Sequence, residues 1–234
     1  MLILSGGFGT RLKPLVDKVP KALAPVGQVP FIYFQIEHWI AQGLKSFVFL
    51  LHHQADQIVK FLELEKNGLL AGCQVSWIVE PKPMDTGGAI AYAVQQLDLD
   101  GSFLVTNADT WVSKGFQEVS QSAAPSIAVL GQSNACRYGQ VKFNKDFYIT
   151  SFIEKNGNQS FGWINAGLCH LNANIFKNWD GQPFSLEKNT FPALAESGEF
   201  KAIPLQTDFI DIGIPRDYLN FCEWIASGKK NELQ

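Results

Sequence analysis

Cysteine is scarce in this 234-residue chain. Cys73, Cys136, Cys169 and Cys222 stand far apart, so no C-x-x-C metal or redox pair exists. Four His residues, adjacent only at His52-His53, leave a zinc centre unexpected. Free thiols in a reducing cytoplasm are the expectation. Charge of one sign is also lacking. Nineteen Lys and Arg against 22 Asp and Glu give a net charge of −3. A protein that coats nucleic acid or an anionic membrane would need a basic excess, so neither partner is expected. No apolar run approaches the ~20 residues of a membrane span. Met1-Leu2-Ile3-Leu4 has neither the length nor the basic lead of a secretory leader. Low-complexity segments and fixed-period repeats are missing too.

What is present is an ordinary globular composition, 46% hydrophobic and 12% aromatic. In the first half, short apolar runs alternate with helical spacings. Strands are predicted at Leu2–Leu4, Ser46–Leu51, Val75–Val79 and Ser102–Thr106, and helices at Phe31–Ile40, Gln54–Glu65 and Gly87–Leu97. This β-α-β rhythm predicts an α/β fold, Rossmann-like, with a mostly parallel sheet flanked by helices. In the second half, Tyr138–Phe143, Tyr148–Ile153 and Trp163–Leu171 read as antiparallel strands forming a small added lobe. A helix capped by Ser185, a strand near Phe200–Leu205, a loop over Asp208–Gly213 and a final helix from Pro215 complete the prediction. No linker is visible, so residues 1–234 read as a single domain.

The first chemical signal is Gly6-Gly7-Phe8-Gly9-Thr10-Arg11-Leu12 at a strand end. Glycines there let several N–H groups face one anion, and a helical turn after them would add its positive end. Leu12 stands where a dinucleotide fingerprint needs glycine, and the Gly-Lys-Ser/Thr of a Walker loop is absent. Pro20-Lys21-Ala22-Leu23-Ala24-Pro25-Val26 follows. Together these strings closely resemble the signature of the sugar-phosphate nucleotidylyltransferases, and later motifs appear in that family's order. Such enzymes join a nucleoside triphosphate to a sugar 1-phosphate, releasing pyrophosphate.

The resemblance implies a residue set. Arg11 and Lys21 would meet the triphosphate, a forked guanidinium on two oxygens and a point charge nearer the reacting centre. Leu4, Ser5, Gly6, Gly7, Gly9 and Thr10 would cradle the nucleotide, with Thr86, Gly87 and Gly88 of Met84-Asp85-Thr86-Gly87-Gly88-Ala89 packed on it. Asp85 replaces a usual glycine, so its carboxylate must face away from the phosphates or help hold metal. Glu80 lies where the family places a base reader. A carboxylate only accepts, which suits the N1–H and N2–H edge of guanine. Asp109, in Thr106-Asn107-Ala108-Asp109, and Asp211, in Asp211-Ile212-Gly213-Ile214-Pro215, would together hold Mg²⁺. Asn107, Tyr138, Gly139, Glu154 and Asn165 would meet the sugar, and Lys155 its phosphate. About 1–135 would form the nucleotide half and about 136–234 the sugar half. Within the family, the motifs are most similar to those of the D-glycero-D-manno-heptose 1-phosphate guanylyltransferases, implying GTP as donor. Enzymes using a hexose 1-phosphate, muramic-acid-type uridylyltransferases and a non-catalytic nucleotide-sugar-binding module are the alternatives. The partners are then small molecules, and a homo-oligomer stays open. His52-His53 reads as a strand terminus bound to backbone rather than as catalytic.

Overall fold

A computed structural model describes residues 1–153 and 161–228. Its first strand, β1 (Leu2–Leu4), is central in a nine-stranded mixed sheet. A small hairpin follows, β2 (Pro25–Val26) and β3 (Val29–Pro30), then α1 (Phe31–Ala41), β4 (Ser46–Leu51), α2 (Ala55–Glu65), β5 (Gln74–Val79), α3 (Asp85–Gln96) and β6 (Ser102–Asn107). Strands β6, β1, β4 and β5 lie side by side in that order, all parallel. β4 is almost wholly apolar because both its faces are covered. Phe47 and Phe49 pack with Ile36 and Trp39 of α1 and Ile58 of α2. Leu50 packs with Ile90, Ala93 and Val94 of α3 on the opposite face.

After β6 come β7 (Thr110–Val112), α4 (Phe116–Gln121), β8 (Ser126–Gln132), β9 (Gln140–Phe143), β10 (Ile149–Ile153), β11 (Gly162–Asn172), α5 (Phe191–Ser197), β12 (Lys201–Leu205), β13 (Phe209–Asp211) and α6 (Pro215–Ala226). β11 ties the antiparallel strands to the parallel ones. Its end, Leu168–Asn172, pairs antiparallel with β6, and its start reaches β9 through Trp163 and Ile164. Its other edge pairs with β8, with a register shift between Asn165 and Cys169.

Two expectations change. Asp208–Gly213 is not all loop, because β13 within it pairs antiparallel with β7, Asp211 opposite Thr110. A single turn follows the glycine loop, as expected, with Leu15 N–H and Val16 N–H donating to the Leu12 carbonyl. The helix from Ser185 is split into a π-helical turn, Leu186–Thr190, and α5.

Candidate active site

A cavity of about 700 Å³ opens at the carboxyl ends of β1 and β6, and a smaller one of about 230 Å³ adjoins it beneath the glycine loop. Open α/β sheets bind ligands at this end of their strands. Leu4, Gly6, Gly7 and Arg11 line the larger cavity; Ser5, Gly9, Thr10 and Lys21 line the smaller. The loop is tight against its neighbours. A Cβ on Gly6 would stand 2.9 Å from a Glu80 carboxylate oxygen and 3.3 Å from His52 Cβ, so a side chain there would have to push Glu80 aside. Phe8 stays half exposed at the cavity wall, its ring 5.0 Å from that of His53.

The two predicted metal ligands are brought together by the β7–β13 pairing. Asp109 immediately precedes β7 and Asp211 ends β13. Between them lies the Lys21 ammonium, 2.5 Å from Asp109 Oδ2 and 3.6 Å from Asp211 Oδ1. α1 braces this corner from behind: buried Gln35 donates to the Thr110 carbonyl at 2.9 Å. Burial raises the Asp109 carboxyl, but the Lys21 charge and its hydrogen bond outweigh this and hold it below the usual carboxylate range. Asp211 is pushed up, by burial and then by the Asp109 charge. The two carboxylates gather positive charge, and the Lys21 ammonium already answers part of it. Among the described residues no group of three or more His, Cys, Asp or Glu could hold a metal. A divalent ion would therefore take further oxygens from phosphate or water, which is the habit of Mg²⁺. The donor set fits that ion.

Glu80 follows β5 and is buried beside the loop, with Oε2 accepting from the Met84 N–H at 3.0 Å. Burial pushes its carboxyl above the usual range, against that hydrogen bond and the nearby His52. His52 meets the Glu80 carbonyl at 3.2 Å. Asp85 has φ +58°, a conformation that suits glycine, and its Oδ1 accepts from the Thr86 N–H at 2.8 Å. That accounts for the glycine usual at this position, and for how an aspartate manages there. Thr86 lines the cavity, whereas Gly87 and Gly88 do not. Their N–H groups donate to the Phe184 carbonyl at 2.9 and 3.1 Å, and the Phe184 ring fills the space a Gly87 side chain would need.

At the far end, Asn107, Tyr138, Gly139 and Asn165 all line the cavity. Asn165 Oδ1 accepts from the Gly167 N–H at 2.8 Å, closing the kink of β11. Gly167 has φ +73°, and a Cβ there would stand 2.7 Å from Asn107 Nδ2. Glu154 and Lys155 lie outside the described residues.

Residues that the sequence reading did not select also reach the cavity: Phe8, Arg137, Phe209, Ser185, Glu187 and Lys188. Arg137 pairs with Asp217 of α6 at 2.7 Å and lies over the Tyr138 ring. The last three belong to the segment that wraps the start of α3, a pairing between positions about 100 apart that no local pattern reveals. The available signal was the cap, Ser185 with Glu187 behind it.

The Nucleotidyl transferase family pattern matches residues 1–227, and the chain belongs to that family. It is 31% identical over 238 residues to the mannose-1-phosphate guanylyltransferase catalytic subunit beta of Drosophila pseudoobscura pseudoobscura, a match covering 99% of this chain and 64% of that one. The chain thus spans slightly under two thirds of that relative's length. Among solved structures it is similar to HddC from Yersinia pseudotuberculosis, with TM-score 0.83, 34% identity and coverage of 96% and 98% of the two chains. The same protein complexed with GMP-PN matches with TM-score 0.82 and 33% identity. No described helix is long and apolar enough to cross a membrane.

Proposed function

We propose that the protein transfers GMP from GTP to a sugar 1-phosphate, forming a GDP-sugar and pyrophosphate. The observation that carries this reading is the placement of buried Glu80 against Gly6 of the glycine loop, in one cavity with Arg11, Asp109 and Asp211. A carboxylate that only accepts selects guanine among the common bases at such a place. The guanylyltransferase relative and the GMP-PN complex of HddC support the same donor.

In this reading an oxygen of the sugar phosphate attacks the α-phosphorus, the bond to the β-phosphate oxygen breaks, and pyrophosphate leaves. The acceptor phosphate, with a second pKa of about 6, is largely dianionic at pH 7, so no general base is needed. Arg11 and the loop N–H groups orient the triphosphate. Lys21 neutralises charge beside the reacting phosphorus. Phosphoryl transfer asks for little beyond positioning and charge. Asp109 and Asp211 would hold Mg²⁺, which supplies positive charge to the phosphate oxygens when bound. Asn107, Tyr138, Gly139 and Asn165 form the acceptor end, with Glu154 and Lys155 assigned to it by sequence alone.

For the acceptor we favour D-glycero-α-D-manno-heptose 1-phosphate, on the sequence motifs. Mannose 1-phosphate is the second reading, favoured by the named relative. Both sugars share the manno arrangement of ring hydroxyls. Pyrophosphate release with Mg²⁺, each NTP and a panel of sugar 1-phosphates tests the proposal. GTP with either manno-configured acceptor should give the highest rate. A preference for UTP or dTTP would overturn the guanylyl assignment.

A further inference from the structure

We infer that Glu187 is a sugar-specificity residue, accepting hydrogen bonds from ring hydroxyls of the acceptor. The inference rests on the reaction proposed above and adds a contact to it. Glu187 sits in the π-helical turn Leu186–Thr190, an irregularity that recurs at functional sites. One oxygen, Oε2, accepts from Thr86 Oγ1 at 2.7 Å and from Ser185 Oγ at 2.8 Å. Each hydroxyl is itself oriented: Thr86 Oγ1 accepts from the Leu186 N–H at 2.9 Å, and Ser185 Oγ from the Lys188 N–H at 3.3 Å. The carboxylate is thereby fixed at the cavity wall, held through Oε2.

Two observations put Glu187 at the acceptor end. The Cys169 thiol is pushed up by burial and then by the Glu187 charge, and Cys169 lies two residues past Gly167 on β11. The helix that continues the π turn, α5, packs Phe191 against Phe152 of β10 with ring centres 5.0 Å apart. A fixed carboxylate repels phosphate and welcomes donors, and the hydroxyls of a sugar ring are donors. Charge-assisted hydrogen bonds of this kind are strong enough to set preference.

Glu187→Gln separates this role from a purely structural one. The amide oxygen can still accept from Thr86 and Ser185, but the amide nitrogen cannot accept from a sugar. With GTP and whichever manno-configured sugar 1-phosphate gives the higher rate, the KM for the sugar phosphate should rise about ten-fold or more. The KM for GTP should stay within about two-fold, and a monodeoxy acceptor lacking the bonded hydroxyl should barely distinguish the two proteins. An unchanged acceptor KM, or an equal rise for GTP, overturns the inference. If wild type turns over no sugar 1-phosphate, the reaction assignment fails by itself. Calorimetric titration of mannose 1-phosphate then decides on Glu187: weaker binding to the variant upholds the role, and equal binding or none to either protein rejects it.

Discussion

In the proposed reaction, the nucleotide end and the acceptor end of the cavity are built in different ways. At the nucleotide end the loop after β1 lines the two cavities with one contiguous string, Leu4 to Arg11. Parallel strands deliver that string to the edge of the sheet, and glycine lets it press against Glu80. At the acceptor end no string suffices. Asn107, Tyr138, Asn165 and Glu187 come from β6, a loop, the kink of β11 and a π turn. The first end depends on backbone conformation and the second on register between distant segments. A substitution within the glycine loop should therefore act through backbone conformation, and one at the acceptor end through the single side-chain contact it removes.

The sharpest way to break the comparison lies where the ends meet. Asp109→Asn should slow pyrophosphate release by about 10²–10³-fold, the scale of losing one charge-stabilising group at a reacting centre. Undiminished release would remove Asp109 from the reaction. Lys21→Met should cost about 10²-fold in kcat/KM and should also change stability with pH. Asp109, held low by Lys21, stabilises the fold above the usual carboxylate pKa of about 4, and that contribution fades as pH falls through its folded value. The melting temperatures of wild type and K21M should thus differ most near neutrality and converge in acid.

A smaller effect sharpens the nucleotide end alone. Glu80→Gln should lower kcat/KM for GTP by about ten-fold or more while leaving UTP nearly unchanged. Burial raises the Glu80 carboxyl, so its ionised form costs stability at neutral pH, and the cost lessens as pH falls through its folded pKa. E80Q should accordingly melt slightly higher than wild type at pH 7.5 and lose that margin in acid. Lower melting at neutral pH would contradict the burial argument. The smallest change expected is from Asp85→Gly. It relieves φ +58° and forfeits the bond to the Thr86 N–H, two effects of about 1 kcal/mol each that oppose one another. Melting should move by less than about 4 °C.

The same contrast decides how much could be read in advance. β1, β4, β5 and β6 and the helices between them follow from apolar runs and helical spacing, because each element's pattern is written in its own residues. The glycine loop, Lys21 and the aspartates were legible as motifs, and the structure collects them at one corner. β8 was not anticipated, although Ser126–Leu130 is buried throughout, because a short apolar run does not name its partners. β13 has three residues, and only its pairing with β7, nearly a hundred positions earlier, makes it a strand. The Phe184 carbonyl that accepts from the Gly87 and Gly88 N–H groups lies nearly a hundred positions away, where local sequence cannot place it.

The kink in β11 separates what that strand shows the substrate from what it shows the sheet. Either side of Asn165–Gly167 the strand is locked, to β9 before and to β6 after, while the kinked residues face the cavity. They behave as a replaceable insert in a fixed frame. On the proposed reaction, acceptor preference can drift by changing a few side chains there, at Asn107 and at the π turn, while the hydrogen-bonded frame carries over unchanged. A scaffold divided in this way can keep one reaction and exchange the sugar it serves.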